Sequence, residues 1–313
     1  MIKDFFRCFI LLFIFIGCVK ENRKDKNTYI NSYYPLIYKA DLAFLTGNYE
    51  KTYEYLKEAF NNQKPINLPP YYELEEMAES CVRLGNKKEA IKHIRVLIEE
   101  MGYEISTFEE DSAYETLQNH SEWKLLKEEY PILRKGYIKS INLELRKKIL
   151  SMKANDQLYR SREDSYNFRS EQALIDSLNH ARLIEIFEIY GYPDERMIGH
   201  RSVDGIYDTS IEAMLLHTKD SIRLNYFIPK LRNFVKEGKC DPMTLGRVID
   251  QYYLFEEEHG YQIYGTLVSS RDGKVSRIKD SLNVNNRRLI EGLPTLEEQI
   301  TRDSIIRKIY GFD

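Results

Sequence analysis

Four cysteines in a chain of 313 residues are too few for a disulfide framework. Two of them, Cys8 and Cys18, fall within the first eighteen positions, so the remainder of the chain has only Cys81 and Cys240. An excess of one charge is also missing. With 46 basic and 49 acidic side chains, the chain lacks the positive surplus by which nucleic-acid binders neutralise phosphate, and no nucleic-acid partner is expected. Long apolar runs are absent too: residues 9–16 make a run of eight, far below the roughly 20 that a membrane-spanning helix needs. No phosphate loop, paired CxxC, HExxH or GxSxG occurs, so no well-marked catalytic class is available.

What the N-terminus does have is Lys3 and Arg7, the apolar run, and then Gly17-Cys18, the layout of a signal peptide over residues 1–17. Phe15-Ile16-Gly17-Cys18 resembles a bacterial lipobox, in which the cysteine is acylated and becomes the first residue after cleavage. Several acyl chains anchor stably where one does not, because each buried methylene contributes about 0.8 kcal/mol. The expected location is the bacterial cell envelope, with Cys18 as lipidation site and outer-membrane anchor on the periplasmic or surface side. An ordinary secretory signal with an incidental cysteine is the alternative. Cleavage removes Lys3, Arg7 and Asp4 and leaves 44 basic against 48 acidic residues. Residues 18–30 are polar and without apolar period, a tether.

From Tyr33 the chain repeats itself. Ala40, Ala43, Gly47, Tyr49, Thr52, Leu56 and Ala59 recur 38 residues later as Ala78, Cys81, Gly85, Lys87, Ala90, Ile94 and Leu97. Small residues let two helices approach, glycine turns the chain, and the later apolar positions face the next hairpin. The pattern resembles tetratricopeptide repeats, whose period is 34; the loop holding Pro65, Pro69 and Pro70 accommodates the extra residues. Two copies are fewer than such stacks need, and Asp111 to Tyr130, with Leu117, Trp123 and Leu126, supplies the completing helices. Trp123 reads as core of that capping segment, with a ligand platform as the other reading. Cys81, standing where the first copy has Ala43, is expected to be a buried free thiol. The stack over 31–134 implies a face for a protein or peptide partner.

Residues 135–313 read as a second, mainly helical domain. One helix from about Lys135 carries Ile138, Ile141, Leu145, Ile149 and Met152. Another carries Leu174, Leu178, Leu183, Ile184, Phe187 and Tyr190 and stops at Gly191. A third ends near His217; a fourth starts at Asp220 with a kink expected at Pro229; a fifth opens at Asp241-Pro242 and closes at Gly260. Period two over 261–268 and 274–278, either side of Asp272-Gly273, predicts a β-hairpin near 261–278, and Thr295 to Tyr310 returns to helix. The expected fold is all-α: a short tetratricopeptide-like stack followed by a helical domain with one small β-hairpin.

Polar residues beside these stripes nominate a site. Asp156 and Arg160 are four apart and share a helical face, with Gln157 at its edge; a surface ion pair is the structural alternative. His217, at a helix C-terminus beside the stripe Ile211, Met214 and Leu215, suits proton transfer near neutrality, or a structural hydrogen bond. Asp250 flanks Leu245, Val248, Ile249 and Tyr252, a place from which to rim a pocket. One histidine and scattered carboxylates give no spacing that selects a metal, so neither metal nor cofactor is expected. Asp156-Gln157-x-x-Arg160, Asp176-x-x-Asn179, His217, Asp250 and Gln262-Ile263-Tyr264-Gly265-Thr266, in this order, resemble a bacterial family described only as a domain of unknown function and appended to secreted or lipid-anchored repeat proteins. The resemblance covers about residues 140–300 and implies a site but no reaction. Two functions follow as expectations. The first is an interaction and binding module, with Gln157, Arg160, Asn179, Gln262 and Tyr264 as ligand contacts. The second is a hydrolase or transferase in which His217 works with Asp156 or Asp250 as acid and base.

Overall fold

The computed structural model describes residues 28–206, 209–255, 259–268 and 275–311. The expected signal peptide and lipidation site, residues 1–17 and Cys18, and the expected turn at Asp272-Gly273 lie outside these residues. The fold is all-α.

The chain begins with α1 (Tyr29–Ser32), α2 (Tyr34–Leu45) and α3 (Tyr49–Asn62), then α4 (Glu73–Arg83) and α5 (Lys87–Met101). α2–α3 and α4–α5 are helical hairpins built to one plan at the offset of 38 residues. The Asn48 N–H donates to the Ala43 carbonyl and the Asn86 N–H to the Cys81 carbonyl, both at 2.8 Å. Gly47 and Gly85 sit in both turns at φ near +75°, the left-handed conformation that costs a side chain about 1 kcal/mol or more and glycine almost nothing. Ala40, Leu56 and Ala59 in the first copy, and Ala78, Ile94 and Leu97 in the second, have no exposed surface.

α6 (Ile105–Glu110), a 3₁₀ turn at Ser112–Leu117 and α7 (Ser121–Ser140) follow. Trp123, Leu117 and Leu126 are buried, Trp123 completely, which puts the tryptophan in the core. α7 runs straight through Pro131 and through the expected boundary at 134/135, so a helix starting near Lys135 is not what forms. Pro131 is exposed, so water can satisfy the Lys127 carbonyl that loses its partner. The break comes instead at Asn142, whose side chain accepts from the Leu145 N–H at 2.9 Å and starts α8 (Leu143–Gln157).

A 3₁₀ turn at Ser165–Phe168 leads into α9 (Arg169–Ile189). Its buried face is Asn179, His180, Leu183, Ile186 and Phe187, whereas Leu174, Leu178 and Tyr190 of the expected stripe are exposed. Then come α10 (Glu195–Ile198), α11 (Glu212–Leu216), α12 (Asp220–Ile222) and a π-helical turn at Arg223–Phe227 leading into α13 (Ile228–Lys236). Pro229 stands in the first turn of α13, and the widened π turn before it absorbs the irregularity expected as a kink. α14 (Pro242–Phe255), α15 (Val284–Ile290) and α16 (Leu296–Tyr310) complete the chain. The Asp241 carboxylate accepts from the Met243 N–H at 2.9 Å, and Thr295 and Glu298 form a reciprocal capping box at the start of α16.

The β-hairpin does not form among the described residues. Between 261 and 278 there are only two isolated bridges, Gln262 with Ile278 and Val268 with Val275. The reason is local: the N–H groups of Ile263, Tyr264 and Thr266 donate to the Asp250 carboxylate at 2.6 to 2.8 Å, and Leu267 is held from both sides by the Gln262 amide. Those donors cannot also serve a ladder.

The hairpins and the C-terminal half share one apolar core. Tyr34 donates to the Val235 carbonyl at 2.9 Å and Tyr38 to the Gly292 carbonyl at 2.7 Å. On α16, Arg302 grips Asp41 of α2 at about 3.0 Å and the Pro70 carbonyl at 2.9 Å. No helix among the described residues is long and apolar enough to cross a membrane.

Candidate functional site

Three elements bring the first group of predicted residues together. The C-terminal turn of α8 supplies Asp156 and Gln157, the turn after it supplies Arg160, and His217 caps the C-terminus of α11. The His217 Nδ1 lies 3.0 Å from each carboxylate oxygen of Asp156. Asp156 is 1% exposed, yet it is well supplied with donors: Gln157 Nε2 at 2.7 Å and Arg160 Nη1 at 3.2 Å, with the same Arg160 nitrogen at 2.7 Å from the Asp156 carbonyl. Arg160 also reaches Asp176 on α9 at 2.7 Å, and Gln172 ties Asp176 to the Asp156 carbonyl.

Burial alone would raise the Asp156 carboxyl; the bond from His217, the charges of His217 and Arg160, and the Gln157 amide outweigh it and leave the carboxyl below its ordinary range. An ionised carboxylate only accepts, so the His217 Nδ1 carries the proton that faces it. In the neutral imidazole the lone pair is on Nε2, which makes no hydrogen bond among the described residues, and the side chain is 27% exposed. A histidine oriented in this way can take up a proton from a group presented to it. Behind it, His180 Nε2 sits 3.1 Å from the His217 carbonyl and donates to it, fixing the turn. Asn179 is buried and donates to the Met152 carbonyl at 3.3 Å, joining α8 to α9 beneath the site.

The second group of predicted residues is elsewhere and faces inward. Asp250 has no exposed surface and, instead of rimming a pocket, accepts four hydrogen bonds: three N–H groups of residues 263–266 and the Thr266 hydroxyl. Gln262 has no exposed surface and closes onto Leu267; Tyr264 is 5% exposed and donates to Glu291 at 3.1 Å. Neither oxygen of Asp250 is left for His217.

A feature that sequence reasoning missed is a cleft of about 560 Å³ between the hairpin loop 66–72 and the C-terminal segments 192–196, 209–212 and the start of α14. Pro69, Pro70, Tyr71 and Tyr192 give it apolar walls; Arg196, Lys239 and Arg247 place cations along it. Arg247 and Thr244 both hold Glu212, at 3.0 and 2.7 Å. Burial pushes the Asp241 carboxyl at its base up to about 7, against the pull of the Met243 N–H and Arg247. The Pro69-Pro70 pair and Tyr192-Pro193 were its traces in the sequence, but they come from opposite halves of the chain and nothing local joins them. A smaller groove of about 360 Å³ lies beside Arg160 and Asp176, between Tyr159 and Tyr166.

Compared with family models, curated proteins and solved structures, the chain matches none of them.

Proposed function

We propose that this chain is a lipid-anchored, extracytoplasmic binding protein, held by Cys18 to the outer membrane of a bacterial envelope. Its tetratricopeptide-like hairpins and C-terminal half together grip a short peptide or peptide end. The observation that carries the reading is the cleft of about 560 Å³, walled by both halves and of a size ordinary for ligand pockets. Tyrosine and proline walls suit an extended chain, and the mixed carboxylates and cations of the lining suit its polar backbone and side chains.

The anchor is tested by fractionation. Cys18→Ser is expected to move the protein from the membrane to the soluble fraction and to abolish acyl-chain labelling; an unchanged membrane fraction overturns the lipoprotein reading.

One observation favours a second reading, a hydrolase or transferase: His217 Nδ1 is fixed by a buried, ionised Asp156 while Nε2 faces outward. Against it stands the absence of convergence, because Asp250 and Tyr264 belong to a separate buried network.

A further inference from the structure

Cys81, Glu89 and His93 form a cluster that neither the binding nor the catalytic reading uses. Cys81 lies on α4, and Glu89 and His93 are four apart on one face of α5, the antiparallel partner of α4 in the second hairpin. One ligand atom from each of the three, the sulfur, a carboxylate oxygen and a ring nitrogen, lies within 4.8 Å of the other two. Packing accounts for the sulfur alone, since the first hairpin has Ala43 at the equivalent position. It does not account for His93 Nε2, which is buried without a hydrogen-bond partner, an arrangement that is costly unless something satisfies it. The equivalents of Glu89 and His93 in the first hairpin are Lys51 and Tyr55, so the repeat plan does not demand this trio.

We propose that Cys81, Glu89 and His93 bind one divalent cation of the zinc class, through the thiolate, one carboxylate oxygen and a ring nitrogen, with a fourth position open to an outside ligand. Mixed sulfur, nitrogen and oxygen donors suit zinc over calcium or magnesium, and three protein ligands are the number zinc keeps where it also takes an exogenous one. A tetrahedron with bonds of about 2.0 to 2.3 Å has edges of about 3.3 to 3.8 Å, so the ligand atoms close by about 1 Å, within the reach of small side-chain rotations. The Tyr53 hydroxyl donates to Glu89 Oε2 at 2.9 Å, and the Phe60 ring packs against the His93 ring with centroids 5.9 Å apart. Glu89 and His93 are half-buried, which leaves the open position facing the surface, while Cys81 is fully buried.

As the metal–sulfur bond forms, the Cys81 thiol gives up its proton to solvent, and the ring nitrogen and carboxylate oxygen bind through lone pairs.

Cobalt(II), a spectroscopic stand-in for zinc, is the probe, titrated into the full-length protein in detergent. One equivalent is expected to give a thiolate-to-cobalt charge-transfer band that zinc bleaches. Cys81→Ala should abolish the band and His93→Gln should weaken binding more than about tenfold; Tyr53→Phe should weaken it about tenfold through its bond to Glu89. Cys8, Cys18 and Cys240 are unchanged in these variants, so loss of the band assigns it to Cys81. No band at one equivalent, or a band that survives in Cys81→Ala, overturns the proposal. Should Cys81→Ala fail to fold, full-strength cobalt binding by His93→Gln overturns it equally.

Discussion

The two halves of this molecule are held together by different physics. Within each hairpin, small and aliphatic side chains pack face to face, glycine makes the turn, and the helical backbone satisfies itself; the same hydrogen bonds recur 38 residues apart, while the loop joining the two hairpins relies on buried Glu73, which accepts from the Ile66, Asn67 and Leu68 N–H groups. In the C-terminal half the helices are shorter and their connections irregular, and buried charged side chains act as splints on backbone groups that no regular element pairs. Arg146 ties the Gly199 carbonyl and Asp204, Arg223 ties the Leu216 and Thr218 carbonyls, Arg288 ties the Pro294 and Tyr264 carbonyls, and Asp250 collects the amides of residues 263–266. Irregular backbone leaves polar groups that no ladder pairs, and a buried group without a partner costs more than an average hydrogen bond contributes.

The largest test of this contrast is Asp250→Ala. It strands three backbone N–H groups and a hydroxyl, and is expected to destabilise the protein by roughly 3 to 5 kcal/mol in urea unfolding. Cys81→Ala, a change in the packed half to the residue that already serves in the first repeat, should cost under about 1 kcal/mol. Equal effects would erase the distinction between the halves.

Next in size is pH. Burial raises Asp241 to about 7 and, against Arg302, Asp41 to about 6, compared with about 3.9 in an unfolded chain. Between those values the folded state holds protons on these carboxyls that the unfolded state has lost, so their contribution to stability falls as pH rises from about 4 to about 7, while His93, lowered by burial to about 4, contributes in the opposite sense up to about 6.5. For Asp241 the slope is on the order of 1 kcal/mol per pH unit, and Asp241→Asn should flatten it. A pH slope that Asp241→Asn leaves unchanged would contradict the burial of this carboxyl.

The smallest effect separates site from splint. Asp156→Ala removes a buried acceptor serving His217, Gln157 and Arg160 and should cost about 1 to 3 kcal/mol. His217→Ala, at the partly exposed end of the pair, should cost under about 1 kcal/mol in a thermal melt. A large loss in both variants would make the cluster structural.

This difference between the halves also decided what was legible in the sequence. The repeat at offset 38, its glycine turns and its core were readable because each depends on neighbours within one hairpin. The meeting of Asp156 with Arg160 was expected from a shared helical face, but α8 ends at Gln157 and Arg160 folds back from the following turn onto the Asp156 carbonyl and carboxylate. That His217 joins them across 61 residues was legible only as a polar residue beside a stripe. The β-hairpin failed because alternation describes side chains, whereas the N–H groups of 263–266 were already committed to Asp250, an interaction that no local pattern records. Leu174 and Leu178 misled for a related reason: the inward face of α9 is set by Asn179 and His180, whose polar character hid their burial. The cleft was invisible because its walls come from loop 66–72 and from segments more than 120 residues away.

The central claim is that ligand capture belongs to the cleft and not to the histidine. It is tested most directly by the thermal shift of the full-length protein against a panel of short peptides, repeated with Ser210→Trp and His217→Ala. Ser210 is an exposed residue of the cleft wall, and tryptophan there fills the space a peptide would occupy. The account predicts that peptides raise the melting temperature of wild type and of His217→Ala alike, and not that of Ser210→Trp; a shift that survives Ser210→Trp but disappears with His217→Ala would contradict it.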